Sequence, residues 1–318
     1  MGIRYLNRYL QSNCNEGIKQ INLSDLSGKK IAIDASIYLY RYMGENALLE
    51  NFYLMISIFR EHNIIPLFVF DGKPPKEKEE LLKLRKEEKK EAENKYKLLQ
   101  ETLKNSDEED KKDLLENLYS LKKLFIKIHH NDIASVKLLI QSYGVSYIDA
   151  PGEADKLCAK LVNKNKVYAC LSEDMDLFVY GCNRVLRYLS LLKKNVVLYD
   201  LKKILHEVTL SYDEFKSICI ISGTDYNIDT NNNLIKTLKL FKKYKKADNL
   251  SNKESFYEWL EKNTDYVSNI CELYEIHLLF SLENMQEYKQ YDKIKIVNGP
   301  INYECLKDIM KKEDFFFC

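Results

Sequence analysis

Lys30-Ile-Ala-Ile-Asp34 and Ile64-Ile-Pro-Leu-Phe-Val-Phe-Asp71 are short, almost wholly apolar runs, and each ends in an aspartate. Runs of this kind, bounded by helical patterns, read as strands buried on both faces, as in a parallel sheet. The same reading extends outward to Val145–Asp149, Val167–Leu171, Val185–Leu189 and Val196–Tyr199. Helical periodicity separates them, as in Leu48–Glu61 and Asn131–Tyr143. The alternation predicts an α/β fold with a mostly parallel central sheet flanked by helices.

One interval is too long for an ordinary crossover. From Lys76 to about Leu103 the chain is charged and rich in helix formers; the acidic patch Asp107–Asp110 interrupts it, and helical periodicity resumes over Lys111–Ile128. This block reads as an inserted helical element. Beyond Leu210 the chain is mainly helical, with Asn227–Asn233 as a polar loop.

Composition narrows the function classes. With 49 basic and 48 acidic residues in 318, the net charge is +1, which excludes a generally basic coat but leaves room for local basic patches. No apolar run reaches the 18 or so residues of a membrane span, and Met1-Gly-Ile-Arg-Tyr-Leu6 has neither a signal-peptide core nor a myristoylation pattern. The eight cysteines form no Cys-x-x-Cys pair, and the histidines show no zinc-finger spacing. The expectation is an intracellular, reduced protein.

The acids carry the chemistry. Asp34 and Asp71 close two strands, Asp174 and Asp176 follow a third, and Asp225 follows a helical run. Glu153 and Asp155 open the helix after Val145–Asp149. Ligands of open α/β sheets bind outside the carboxyl ends of the strands, so these seven acids point to one crevice. Any one of them could be a helix cap or turn residue. Together they would repel by roughly 4 kcal/mol per pair at about 4 Å, so such a cluster calls for cations. Oxygen ligands without His or Cys suit Mg²⁺ or Mn²⁺, and two such ions make a phosphodiester-cleaving site.

At these positions the sequence resembles the flap endonuclease (FEN/XPG) family of structure-specific 5′ nucleases. The resemblance rests on Met1-Gly-Ile3, Ile33-Asp-Ala-Ser36, Val69-Phe-Asp-Gly-Lys-Pro-Pro75, Asp149-Ala-Pro-Gly-Glu-Ala-Asp155, Glu173-Asp-Met-Asp176 and Gly223-Thr-Asp-Tyr226. It implies the PIN-like 5′-nuclease fold, with a nuclease core over 1–227, a helical arch over 73–128 within it, and a helical duplex-binding part over 228–318. It further implies two Mg²⁺ ions, replaceable by Mn²⁺. Asp34, Asp71, Glu153 and Asp155 would serve one ion, and Asp155, Asp174, Asp176 and Asp225 the other. The substrate implied is branched double-stranded DNA with a 5′ single-stranded flap, in replication, repair or recombination. The setting would be the nucleus or another site of DNA replication, a cytoplasmic viral factory included.

The resemblance also gives roles to basic and aromatic residues. Lys78 and Arg85, two turns apart, match the catalytic basic residues of the arch, whereas Lys83, Lys86, Lys89 and Lys90 read as a solvated face. Tyr40 matches a tyrosine that stacks on the base beside the scissile bond; core packing is its alternative. Gly2 would let the chain start lie close to DNA. The family pattern is broken at two places. Asp155 stands where the family has Glu, one methylene longer. The Gly-x-Gly hairpin that grips duplex phosphate is replaced by the glycine-free Asn227–Asn233. Lys236, Lys239, Lys242, Lys243, Lys245 and Lys246 offer a substitute, a basic helix face for the duplex, with Leu234, Leu238 and Phe241 turned inward. The family's sliding-clamp peptide, an extension ending in paired aromatics, lacks its Gln and its apolar residue at the required offsets, so Phe315-Phe-Phe-Cys318 reads as the end of the core and no ordinary clamp tether is expected. Three alternatives remain open at this point: a 5′ exonuclease or junction-resolving relative, a PIN-like RNA nuclease, and a non-catalytic DNA-binding scaffold on the same fold.

Overall fold

The computed structural model describes residues 3–104, 108–227, 232–246, 254–282 and 286–311. In chain order the first elements are α1 (Leu6–Asn13), β1 (Ile18–Asn22), β2 (Lys30–Asp34), α2 (Ala35–Gly44), α3 (Leu48–Glu61) and β3 (Ile65–Phe70). Next come α4 (Glu79–Lys104), α5 (Glu108–Leu124), α6 (His130–Ser142), β4 (Ser146–Asp149), α7 (Ala154–Asn163), β5 (Ala169–Leu171) and α8 (Asp176–Val179). The remainder is β6 (Arg184–Ser190), β7 (Asn195–Asp200), α9 (Leu201–Glu207), α10 (Tyr212–Ile221), α11 (Leu234–Lys246), α12 (Phe256–Asn263), α13 (Ile270–Leu279) and α14 (Tyr303–Lys311).

The strands form one sheet in the order β1-β7-β6-β5-β2-β3-β4. β6, β5, β2, β3 and β4 run parallel, while β7 and β1 are antiparallel additions at one edge. The buried strands alternate between two apolar layers. Ala32, Leu67, Val69 and Cys170 face the layer that holds α7, α10 and the packed rings of Phe241 and Phe256. Ile31, Ile33, Phe68, Phe70 and Leu171 face the layer that holds α2, α3, α6 and α14. Burial on both faces explains why these strands read as continuous apolar runs.

After β2 the chain works outward through β3 to β4, then returns to add β5 on the other side of β2. The strand order therefore reverses between β2 and β5, where an open sheet offers its crevice. Gly72 fits the crowding at this edge. Its N–H donates to Gly152 O (2.7 Å), and a Cβ there would lie 2.0 Å from Ala150 O. That position admits only glycine without moving backbone.

Several expectations need adjusting. β1 has no counterpart among them: an exposed edge strand carrying two apolar residues gives little period-two signal. β5 spans three residues, because Val167 lies before the ladder begins. Val145 makes only an isolated bridge to Asn298. The acidic patch is expected to interrupt the helical block: α4 ends at Lys104 and α5 begins at Glu108, so Glu108–Asp110 belong to the second helix, whose first turn favours acids. Asp107 lies outside the described residues, as do Gly2 and Phe315–Cys318. Among the described residues no helix is long and apolar enough to cross a membrane.

Candidate functional site

All seven predicted acids stand at the crevice edge, each delivered by the end of an element. Asp34 is the last residue of β2 and precedes α2, Asp71 follows β3, and Glu153 and Asp155 bracket the start of α7. Asp174 and Asp176 follow β5, and Asp225 follows α10.

Hydroxyls and backbone amides fix their orientations. Ser36 Oγ donates to Asp71 Oδ2, and Ala154 N donates to its Oδ1 (2.7 Å). Ser172 Oγ donates to Asp34 Oδ2 (2.9 Å) and accepts from Asp174 N (3.1 Å), tying the ends of β2 and β5 together. Asp176 N donates to Asp174 Oδ1 (3.0 Å). Asp155, the shorter side chain, accepts from Lys156 N (2.6 Å). Neither serine stands out in the sequence as a site residue.

The basic residues reach into this cluster. Lys78, only 6% exposed, donates from Nζ to Glu153 Oε1 (2.6 Å) and lies 3.7 Å from Asp225 Oδ2. Arg85 Nη2 donates to the same Asp225 oxygen (3.0 Å). Tyr226 completes the arrangement: its hydroxyl donates to Glu153 Oε2 (2.9 Å), and its ring faces Lys78 Nζ at 4.8 Å. In the sequence it stands out only as the last letter of a motif.

Tyr40 is 46% exposed, so core packing does not account for it; Tyr38 and Tyr42 are the buried ones. Lys89 departs from the solvated face expected of it. Its Nζ lies 4.9 Å above the Tyr40 ring, linking the arch to that tyrosine. Lys83, Lys86 and Lys90 are exposed as expected.

The electrostatics ask for a cation. Burial, reinforced by the charges of Asp71 and Asp174, pushes the Asp34 carboxyl up to about 8. Burial also raises Asp155 and Asp176 well above the carboxylate range, with neighbouring acids adding to it. Oδ1 of Asp34 and Oδ1 of Asp176 are buried without a hydrogen-bond partner. Burial alone would favour a neutral Lys78, but Asp155 and Glu153 outweigh it and keep the ammonium protonated. Among the described residues no three acids, histidines or cysteines close into a ready metal cage. The Lys78 ammonium and Arg85 guanidinium sit on Glu153 and Asp225 instead. The oxygen-only donor set, the two orphaned oxygens and the mutual repulsion nevertheless fit a hard divalent cation.

This cluster makes stability depend on pH. The folded protein holds the Asp34 proton more tightly than the unfolded chain does. Its contribution is therefore present in acid and is lost as pH rises from the ordinary carboxylate range to about 8. Asp155 and Asp176 act in the same sense. In metal-free buffer the Tm is expected to fall from about pH 5 to about pH 8, and Asp34→Asn to flatten that slope and raise the Tm at the alkaline end. Calorimetry across this range checks it; equal slopes for both proteins would contradict the assignment.

The second basic group lies on α11. Lys236, Lys239, Lys242, Lys243, Lys245 and Lys246 are all on the outer side of the helix, while Leu234, Thr237 and Phe241 face inward. Leu238 is only half-buried. Lys245 pairs with Glu214 of α10 (2.5 Å), and Lys236 lies over the Tyr266 ring (4.7 Å). Part of the glycine-free stretch, 228–231, lies outside the described residues. Asn233 Oδ1 accepts from Lys236 N (2.9 Å) and so caps α11, and Tyr266 OH accepts from Asn233 N (3.1 Å).

The mostly parallel sheet, its acid-lined switch point and the inserted helical element whose basic side chains reach the acids are what the resemblance to the FEN/XPG class implies. Sequence comparison agrees: residues 1–92 match the XPG N-terminal domain and residues 144–225 the XPG I-region. The chain belongs to the flap endonuclease (FEN/XPG) family. It is 32% identical over 289 residues to flap endonuclease 1 of Meyerozyma guilliermondii, which covers 83% of this chain and 72% of that one. It is 35% identical over 245 residues to flap endonuclease 1-A of Sorghum bicolor, covering 71% of this chain and 62% of that protein. The match thus spans about three-fifths of the length of the sorghum relative. Among solved structures, the catalytic core of Rad2 in complex with DNA substrate superposes with a TM-score of 0.69 at 19% identity, covering 98% of this chain and 95% of that one.

Proposed function

We propose that this chain is a divalent-metal-dependent, structure-specific 5′ nuclease that cuts branched DNA near single-strand/duplex junctions. The observation that carries this reading is the gathering of seven acids from five places in the chain, two of which, Glu153 and Asp225, pair with Lys78 and Arg85 of the arch. A scaffold that only bound DNA would gain nothing from a buried, mutually repelling cluster. Asp34, Asp71, Glu153 and Asp155 would hold one Mg²⁺, and Asp155, Asp174, Asp176 and Asp225 the other, with Mn²⁺ as a substitute. When bound, the ions supply an activated water and charge stabilisation for the leaving oxygen.

The chain's own groups do the rest. Lys78 and Arg85, which pair with Glu153 and Asp225, would hold the scissile phosphate where bound cations took over those acids. The exposed Tyr40 ring stacks on the base beside the cut, as suits an unpaired strand. The 5′ strand passes under the 73–128 arch. Residues 1–227 carry the chemistry, and 228–318 grip the duplex. The α11 lysines bind phosphates without reading bases, so junction shape and bendability select the substrate. The relatives' name, flap endonuclease, favours a flap as that substrate, here one with a free 5′ end, and a site of DNA replication such as the nucleus would be the setting.

Cleavage of a 5′-labelled panel of single-flap, double-flap, nicked, gapped, four-way and single-stranded DNA in Mg²⁺ tests the reading. Cutting confined to 5′ flaps supports it. Preference for nicks or four-way junctions keeps the chemistry and assigns an exonuclease or resolving role. Binding without any cutting points to a scaffold and overturns it.

Neutralising Lys236, Lys242 and Lys246 together should weaken duplex binding. Each lysine–phosphate pairing that disappears lowers the slope of log K against log salt by about 0.9, so the slope should fall by about 2–3. Fluorescence anisotropy at a series of salt concentrations measures it; an unchanged slope removes α11 from the DNA interface.

A further inference from the structure

Asp174 lies on the short strap between β5 and α8, and Asp176 opens α8. Arg187, on β6 and only 5% exposed, runs beneath the strap. Its Nη2 donates to Glu173 O (2.9 Å), its Nη1 lies 2.8 Å from Met175 Sδ, and its Nε is 3.5 Å from Glu173 Oε2. The guanidinium thus brackets Asp174 from the residues on either side. Nη1 also donates to Asn7 Oδ1 on α1, which fixes the guanidinium from behind.

A second observation points the same way. β6 carries a bulge between Arg187 and Ser190, and Tyr188 takes φ +57°. A bulky side chain in the left-handed region is strained, and such strain gathers at functional sites. The bulge turns the Tyr188 N–H onto Glu173 Oε1 (2.6 Å), while its hydroxyl accepts from Asn7 Nδ2 (2.6 Å). Glu173 is therefore held by a hydrogen bond and an ion pair from two adjacent residues of one strand.

We infer that Arg187 and Glu173 form a brace that positions Asp174 and Asp176 for cation binding. Neither residue faces the scissile phosphate; both are positioning residues. The inference rests on the metal-dependent nuclease reading. Loss of groups that orient metal ligands lowers metal affinity by about 10–100-fold.

The test titrates Mn²⁺ into wild type, Arg187→Lys and Glu173→Ala without DNA, following free Mn²⁺ by electron paramagnetic resonance. Thermal melts and the Mn²⁺ dependence of flap cleavage are measured beside it. Arg187→Lys keeps the charge but loses the fork. It is expected to bind Mn²⁺ at least about tenfold more weakly and to need correspondingly more Mn²⁺ for half-maximal cleavage, with turnover recovering at saturation. Glu173→Ala should do the same, and its more exposed side chain makes it the variant less prone to unfold. A lower Tm with wild-type Mn²⁺ affinity in both variants would mean a structural role only and overturn the inference. Wild type that bound no Mn²⁺ would overturn the nuclease reading itself.

Discussion

Asp174→Ala is expected to leave the protein folded and able to bind flap DNA, yet to cut it at least ~10³-fold more slowly, a loss of about 4 kcal/mol in transition-state stabilisation. Asp174 accepts from Asp176 N and donates through its own N–H to Ser172 Oγ, so the substitution removes a ligand and loosens a neighbour. The backbone hydrogen bond to Ser172 survives. Relief of repulsion on Asp34 and Asp176 should raise the metal-free Tm. Binding to flap DNA in Ca²⁺ beside single-turnover cleavage in Mg²⁺ separates the two effects. Near-normal turnover would contradict the two-ion assignment.

Lys78→Ala is expected to give the second-largest effect, with a different signature. Removing a preorganised charge aimed at a reacting phosphate costs about 10²–10³ in rate. Lys78 is also buried, so its loss leaves Glu153 without its ion-pair partner and Asp225 with Arg85 alone. Breaking a buried pair from one side costs about 3–5 kcal/mol. The metal-free protein should therefore melt earlier at neutral pH, with less loss in acid, where the acids left behind take up protons. Saturating Mg²⁺ should restore most of it. Arg85→Ala is the control, because its side chain is 39% exposed. It should slow cleavage comparably with little change in Tm. Two variants with equal stability profiles would deny Lys78 its place within the acid cluster.

The sheet was legible because burial on both faces leaves a strong trace: Lys30–Asp34 and Ile65–Phe70 are nearly uninterrupted apolar runs. β1 was not, because an edge strand with two apolar residues in five carries no such trace. The acids were legible because each follows an element that the pattern already marks. The state of the lysines was not. Lys78, Lys83 and Lys89 look alike in one charged stretch, yet the first is buried among acids, the second exposed beside Glu79 and the third over a tyrosine ring. Lys245, which has no acid near it on α11, is drawn onto Glu214 of another helix. Tyr38, Tyr40 and Tyr42 alternate along α2, and only packing turns Tyr40 outward.

Local periodicity is enough to set the α/β architecture, the helical insertion and the gathering of seven acids at one sheet edge, because the strand ends of an open sheet share a crevice. How that charge is managed is a matter of three-dimensional packing. Lys78 reaches across 75 residues to Glu153, Arg85 across 140 to Asp225, and Arg187 lies beneath Glu173. The reason is physical. A carboxylate's environment is set by what surrounds it in space, and the groups that neutralise or brace these acids arrive from elements that no sequence period connects to them.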